Sequence, residues 1–126
     1  MKAEAVESVI APLGPFWITD IFYNSGQLVI KIKSKTGGEC ITVTFSEICG
    51  FRMLNEGDLL EFWPTCAQAN GWLFRVIDGG WFEQESQRRG FLRGDVNGIT
   101  EFLLPGQDDC VSVFAWDLPE VRKCTT

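Results

Sequence analysis

The sequence contains no histidine, and this absence removes a large part of enzyme chemistry. Without histidine there can be no Ser-His-Asp triad, no Cys-His protease pair and no histidine ligand for a metal. A phosphate-binding loop of the form G-x-x-x-x-G-K-[ST] and a dinucleotide fingerprint G-x-G-x-x-G are also missing. We therefore expect a protein that is not an enzyme and that uses neither a metal nor a cofactor.

Long apolar runs are missing as well. No stretch reaches the roughly 18 apolar residues that a membrane-spanning helix requires. The opening segment "MKAEAVESVIAPLG" carries glutamates and only a short apolar stretch, which is not typical of a signal peptide. We expect a cytoplasmic protein without a membrane partner, folded as a single domain over residues 1–126.

Cysteine is present but does not form a recognisable pattern. No two cysteines make a C-x-x-C pair, so a zinc site is not expected. An odd number of scattered cysteines without a secretion signal predicts free thiols in a reducing cytoplasm. The five residues are Cys40, Cys49, Cys66, Cys110 and Cys124.

Negative charge is in excess, with a formal net charge of -6. This balance argues against nucleic-acid binding, which requires a basic surface. The acids are also unevenly placed, because the segment from Glu101 to Glu120 holds five acidic residues and no lysine or arginine. Basic residues collect instead on the segment 31–35 and around Arg88. The charge serves solubility alone, or it steers a basic partner towards the protein.

Residues 15–45 predict an antiparallel meander of three strands. In the second strand Leu28, Ile30 and Ile32 alternate with lysines, the pattern of a strand with one wet face. The third strand repeats this pattern with Ile41 at its start. The intervening "NSG" and "KTGGE" are turn sequences.

Two later segments predict short helices, each with a strand as the alternative. In "NEGDLLEFW", Asn55 can cap a helix that Pro64 stops. The segment "NGWLFRVIDGG" predicts a strand, and we prefer a helix for the following "WFEQES" because it places Glu85 four residues before Arg89. A hairpin strand is the alternative for "WFEQES".

The final part of the chain predicts a hairpin, with strands "ITEFLLPG" and "CVSVFAW" around the turn "QDD". The sum is a mainly β, α+β fold. It consists of an antiparallel sheet of five or six strands, flat or curved into a half-barrel, with one or two short helices.

Three segments resemble small bacterial immunity-type proteins of polymorphic toxin systems, including contact-dependent growth inhibition. They are "FRMLNEGDLLEFW", "GGWFEQESQRRGFL" and "TEFLLPGQDDCVSVFAWDLPEV", which together span residues 51–121. The resemblance carries no catalytic signature. It implies a protein that binds and neutralises a cognate toxin domain, often a nuclease.

An acidic inhibitor can occupy the basic, phosphate-shaped cleft of a nuclease, with a buried aromatic residue as an anchor. Three alternatives stay open: a β-barrel-like domain that holds a small apolar ligand, an interaction module of another pathway, and an enzyme that uses Glu83 and Glu85 as paired carboxylates. For Trp81, a position in the core beside a turn is favoured over a role as a binding anchor. The predicted partner-binding residues are Asp78, Trp81, Glu83, Glu85, Asp108 and Asp109.

Overall fold

The computed structural model describes residues 1–8, 10–67 and 70–124, which form nine β-strands and two short helices. Two single turns of 3-10 helix, Glu56–Asp58 and Leu92–Asp95, lie between them. In chain order the elements are β1 (Lys2–Ala5), β2 (Phe16–Asn24), β3 (Gln27–Ser34), β4 (Cys40–Phe45), β5 (Ile48–Asn55), α1 (Trp63–Cys66), β6 (Phe74–Asp78), α2 (Trp81–Ser86), β7 (Thr100–Pro105), β8 (Asp109–Ala115) and β9 (Glu120–Lys123).

The strands form two antiparallel sheets. The five-stranded sheet has the order β1-β6-β7-β8-β5, and the four-stranded sheet has the order β2-β3-β4-β9. Each sheet therefore has two end strands, and neither closes into a barrel. The predicted mainly β, antiparallel fold with short helices is confirmed, although the strands divide between two sheets and outnumber the predicted five or six.

The two sheets share a hydrophobic core. In β3 the predicted alternation is confirmed, because Leu28, Ile30 and Ile32 are fully buried while the lysines point away from the core. From the five-stranded sheet, β7 and β8 contribute residues such as Phe102 and Val113 to the same core. Full burial of one such side chain stabilises the fold by about 1.5–3 kcal/mol.

The five-stranded sheet is covered on its other face by the helices. There Phe74, Leu103 and Cys110 pack against α1 and the preceding loop, which contribute Phe62 and Cys66. β7 and β8 are consequently buried on both faces, so their sequences are almost continuously apolar. The result is a layer of four strands, a layer of five strands and a partial layer of helix.

The segment around Asn55 differs in detail from its prediction. Asn55 is a cap, since its Oδ1 accepts a hydrogen bond of 2.8 Å from the Gly57 amide, but it caps a 3-10 turn. The predicted stop at Pro64 is wrong, because Pro64 lies in the first turn of α1. A proline is favourable there, since first-turn amides lack an acceptor within the helix.

The prediction of five free thiols is wrong for two of the cysteines. Cys40 and Cys124 form a disulfide that links the end of β9 to β4 across 84 residues of sequence. Cys49 is free and partly exposed, whereas Cys66 and Cys110 are free and buried. Burial disfavours the thiolate and raises the pKa of Cys66 to about 11 and that of Cys110 to about 12.

Candidate functional site

The turn through Gly79 and Gly80 leads directly into α2, as predicted. Gly79 has a φ of +74°, a conformation that glycine adopts without strain. At Gly80 an added Cβ would lie 2.6 Å from Cγ1 of Val76 and 2.8 Å from Oε2 of Glu101. Only glycine therefore lets the start of α2 approach the sheet so closely.

Glu101 is a buried carboxylate beneath the start of α2. Its side chain is on the helix-covered face of β7, where the residue is only 4% exposed. The carboxylate accepts hydrogen bonds from the backbone amides of Trp81, at 3.1 Å, and Phe82, at 2.7 Å. Burial raises the pKa of Glu101, and the two amide donors oppose that rise. Glu101 thus supplies the acceptors that the first turn of α2 needs.

Trp81 packs against the five-stranded sheet and is only partly exposed. Its ring stacks on Phe114, with centroids 4.0 Å apart and an interplanar angle of 22°. The guanidinium carbon of Arg52 lies 4.9 Å from the centroid of the same indole. The indole N–H donates to Glu85 at 3.2 Å. Trp81 is therefore partly buried with its polar atom already satisfied.

Arg52 projects from β5 onto this same face. Burial lowers the pKa of Arg52, while the nearby carboxylates of Glu101, Glu61 and Glu85 oppose that change. Its Nε atom is buried without a hydrogen-bond partner among the described residues. Arg52 consequently contributes positive charge to a region whose acids are Glu101 and Glu85.

The other acids of α2 also have internal partners. Glu83 was expected to lack one, but its carboxylate accepts a hydrogen bond from the backbone amide of Gly79. Glu85 was expected to pair with Arg89 and instead pairs with Arg88, with Nε and Oε2 2.8 Å apart. The helix ends at Ser86, so the four-residue spacing is not continued to residue 89. The hydrogen bond from Arg88 is the main cause of the lowered pKa of Glu85.

The structure divides the six predicted contact residues between two places. Asp78 ends β6 beside α2, whereas Asp108 and Asp109 lie at the turn between β7 and β8. β7 connects these two places, because Glu101 lies under α2 and Pro105 lies beside the turn. The four residue steps from Glu101 to Pro105 separate the two places by about 13 Å. We call the place formed by Asp78, Trp81, Glu83 and Glu85 the α2 corner.

The second place contains acids that the sequence did not group together. Asn55 pairs with Asp109 in the sheet, and the amide of Glu56 donates to the carbonyl of Asp108 at 2.8 Å. This brings the 3-10 turn that contains Asp58 next to the β7–β8 turn. We call Glu56, Asp58, Asp108 and Asp109 the acidic end.

The carboxylates of the acidic end are not engaged by the fold. Across residues 1–8, 10–67 and 70–124, no side-chain hydrogen bond or ion pair is made to any of the four. Glu56, Asp58 and Asp108 are exposed and Asp109 is half-buried. Glu56 and Asp109 also contribute to the raised pKa of Cys110 beneath them. The acidic end therefore presents carboxylates without internal side-chain partners to solvent.

Comparison with known proteins gives no match: no family model, no curated protein and no solved structure resembles the chain. The similarity to immunity-type proteins stays a prediction. Within the described residues, no helix is long and apolar enough to cross a membrane. The same residues contain no group of three or more histidine, cysteine, aspartate or glutamate side chains that could hold a metal ion.

An open cleft lies at the rim of the sandwich. It has a volume of about 600 Å³ and lies between the segment around Pro15 and the segment around Trp72, which includes Gly71. The core between the sheets is packed with side chains that are almost completely buried. A small apolar ligand would therefore meet a surface cleft here rather than the interior of a barrel.

Proposed function

We propose that this protein is an immunity-type inhibitor that binds and neutralises a cognate bacterial toxin domain, a nuclease, in the cytoplasm. It acts by binding and not by catalysis. One observation supports the proposal above the others: among the described residues, the four carboxylates of the acidic end accept no hydrogen bond and form no ion pair, whereas Glu83 and Glu85 of the α2 corner do. Free carboxylates on a fixed scaffold are suited to a basic partner.

The acidic end matches the electrostatic needs of a nuclease inhibitor. A nuclease binds phosphate with positively charged side chains, and clustered carboxylates can take the place of that phosphate. Electrostatic steering accelerates association and weakens as salt is added, because the Debye length is about 8 Å at physiological ionic strength.

The scaffold behind these acids is rigid. Asp109 lies in β8, which is paired on both sides by β5 and β7. Asp108 has a φ of +70° in the turn, a conformation that aspartate tolerates better than most residues. The backbone of Asp109 is therefore held by a five-stranded sheet, which lowers the entropy lost on binding.

Co-expression tests the proposed function. The candidate toxin is a variable C-terminal domain of a large secreted protein, provided that the gene for such a protein lies next to this one. We expect co-expression to restore growth of cells that produce this domain, and the two proteins to co-purify with an affinity that falls as salt increases. Failure both to rescue growth and to form a complex would contradict the proposal.

The rim cleft supports a different candidate function, the binding of a small apolar ligand. Trp72 contacts Phe16 edge-to-face, with centroids 6.4 Å apart, and both residues line the cleft. Quenching of tryptophan fluorescence by a panel of apolar ligands, compared between the native chain and Trp72→Phe, tests this candidate. No saturable quenching in the native chain would dismiss it.

A further inference from the structure

The two sheets expose four end strands, and these differ in how they are protected from pairing with another chain. A free strand edge carries unpaired N–H and C=O groups that attract further strands. Natural sheets usually guard such edges by short length, charged residues or bulges. The end strands here are β1 and β5 in one sheet and β2 and β9 in the other.

Three of the four edges carry such protection. β1 and β9 are each four residues long and contain charged residues, among them Lys2, Glu4 and Arg122. β2 is longer, but its register with β3 shifts between Ile18 and Asp20, which interrupts a regular edge. Each of these edges is a poor template for another strand.

The fourth edge, that of β5, is less well protected. Its register with β8 shifts only near its start, between Ile48 and Gly50, where the amide of Ile48 donates to the carbonyl of Gly26. From Gly50 to Asn55 the register is uninterrupted, and no described strand pairs with the other side of β5. Its one charged residue, Arg52, is folded over Trp81 on the helix-covered face. Exposed apolar side chains stand along the strand, with Phe51 at 37% and Met53 at 50% exposure.

A neighbouring aromatic residue extends this apolar surface. Tyr23, from β2 of the other sheet, stacks on Phe51 with ring centroids 6.1 Å apart, and it is itself 58% exposed. Together the open edge and the row formed by Tyr23, Phe51 and Met53 offer backbone hydrogen bonds and apolar contacts side by side. A strand added to β5 would use both.

Charge selects the kind of strand that fits. β5 is preceded by the exposed Glu47 and followed by the acidic end, so both ends of the edge are negative. We propose that β5 accepts an extended segment of the basic partner, one that alternates lysine or arginine with apolar or β-branched residues. The inference rests on the proposed function and specifies how the partner is bound.

A second copy of this chain fits the edge less well. In an antiparallel pairing centred on Phe51, Asn55 of one copy would face Glu47 of the other, next to the acidic end. In a pairing centred on Arg52, two identical cations would face each other. Both registers bring like charges together, which disfavours pairing of strands.

Nuclear magnetic resonance of the whole, isotopically labelled protein tests the inference with synthetic peptides. The probe is a ten-residue peptide that alternates threonine and lysine. One control replaces lysine by glutamate, and a second keeps the lysines but places two prolines at its centre. We expect the lysine peptide to shift the amides of residues 49–55 and to protect those that point away from β8, and neither control to do so.

Two variants sharpen the result. Met53→Lys should weaken binding of the lysine peptide at least tenfold, whereas Ile77→Lys should leave it unchanged, because Ile77 is similarly exposed, at 49%, but lies in β6. Spectra of both variants should show an unchanged fold. Equal binding of the proline peptide, shifts confined to other strands, or self-association through β5 seen by ultracentrifugation would each overturn the inference.

The toxin complex separates this inference from the proposed function. A complex that forms and rescues growth while the amides of β5 remain unprotected leaves the proposed function intact and overturns the docking mode. Conversely, the absence of any toxin complex contradicts the proposed function, while binding of the lysine peptide at β5 still supports the edge as a docking site for basic strands.

Discussion

The α2 corner and the acidic end carry the same type of side chain but use it differently. At the α2 corner Glu83 and Glu85 bond to groups of their own chain, and the neighbouring Glu101 caps the helix from below. At the acidic end Asp108 and Asp109 have no such bonds within the described residues. Carboxylates that complete a fold are poor evidence of a binding surface, whereas carboxylates that the fold leaves free are better evidence.

The difference between the two groups of carboxylates follows from the hydrogen-bonding requirements of the nearby backbone. A short helix such as α2 begins with amides that have no acceptor in the helix, so nearby carboxylates are drawn to them. The β7–β8 turn and the 3-10 turn after β5 are satisfied mainly by backbone and amide groups, as in the bond from the amide of Glu56 to Asp108. Substitutions should therefore affect folding at the α2 corner and affect binding at the acidic end.

The largest loss of stability should come from Phe114→Ala. Phe114 is 2% exposed and supports Trp81, Phe82 and Phe91 from the sheet below. Removing its ring leaves a cavity under α2, so we expect the free energy of unfolding to fall by about 3–5 kcal/mol. Denaturant unfolding followed by tryptophan fluorescence measures this. A loss below about 1 kcal/mol would show that α2 is not held through this ring.

Reduction of the Cys40–Cys124 disulfide should weaken the whole fold rather than one region. The bond closes a long loop and restricts the unfolded chain, so its loss should lower the free energy of unfolding by about 2–4 kcal/mol. Amide hydrogen exchange should speed up at the α2 corner and the acidic end alike. Unequal acceleration of amide exchange in the two regions would contradict a global effect. The variant Cys49→Ser, which changes a free cysteine, serves as a control.

Glu101→Ala should lower the free energy of unfolding by about 1–3 kcal/mol, because the amides of Trp81 and Phe82 lose their acceptor.

Glu101→Gln should lower the free energy of unfolding by less, and it should change how that free energy depends on pH. The folded pKa of Glu101 is raised above its ordinary 4.5, so the folded state binds a proton more readily than the unfolded state. The free energy of unfolding of the native chain, relative to Glu101→Gln, should therefore fall as pH rises through that raised value.

Chemical denaturation of the native chain and Glu101→Gln at several pH values from about 4.5 to 8 measures this difference. A relative stability that is independent of pH, or one that increases with pH, would contradict a buried Glu101 with a raised pKa.

The smallest effect on stability should come from neutralising the acidic end. Asp108→Asn and Asp109→Asn keep the size of each side chain, and asparagine also tolerates the positive φ of residue 108. Since neither carboxylate has a side-chain partner in the described part of the chain, each change should alter the free energy of unfolding by less than about 0.5 kcal/mol. Thermal unfolding of each variant checks this expectation. A loss of about 2 kcal/mol in the free energy of unfolding would show that these acids stabilise the fold.

The sequence predicted those elements whose burial pattern is simple. β3 has one wet face, so its alternation is clear, and Gly80 before α2 is a strong local signal. β1 and β9 are too short to show a periodic pattern of apolar residues. β5 has a free edge, and its sequence does not alternate regularly between apolar and polar residues. The disulfide was missed because only the pairing of β9 with β4 brings Cys124 beside Cys40.

The site was predictable only in part. The sequence identified Asp108 and Asp109 but grouped them with α2, since strand register is needed to place them beside Asn55. The role of Glu101 was missed, although an acidic residue in the apolar segment "TEFLLP" is a signal for a buried carboxylate with partners. Glu83 could not be assigned a partner from side-chain spacing alone, because its donor is a backbone amide.

Titration calorimetry with the cognate toxin domain compares the two regions directly. Two variants with two matched carboxylate changes each, Asp108→Asn with Asp109→Asn and Glu83→Gln with Glu85→Gln, are compared for affinity towards that domain. We expect a loss of at least tenfold in affinity for the first variant, about 1.4 kcal/mol or more, and a change of less than threefold for the second. Full affinity in the first variant together with lost affinity in the second would contradict this expectation.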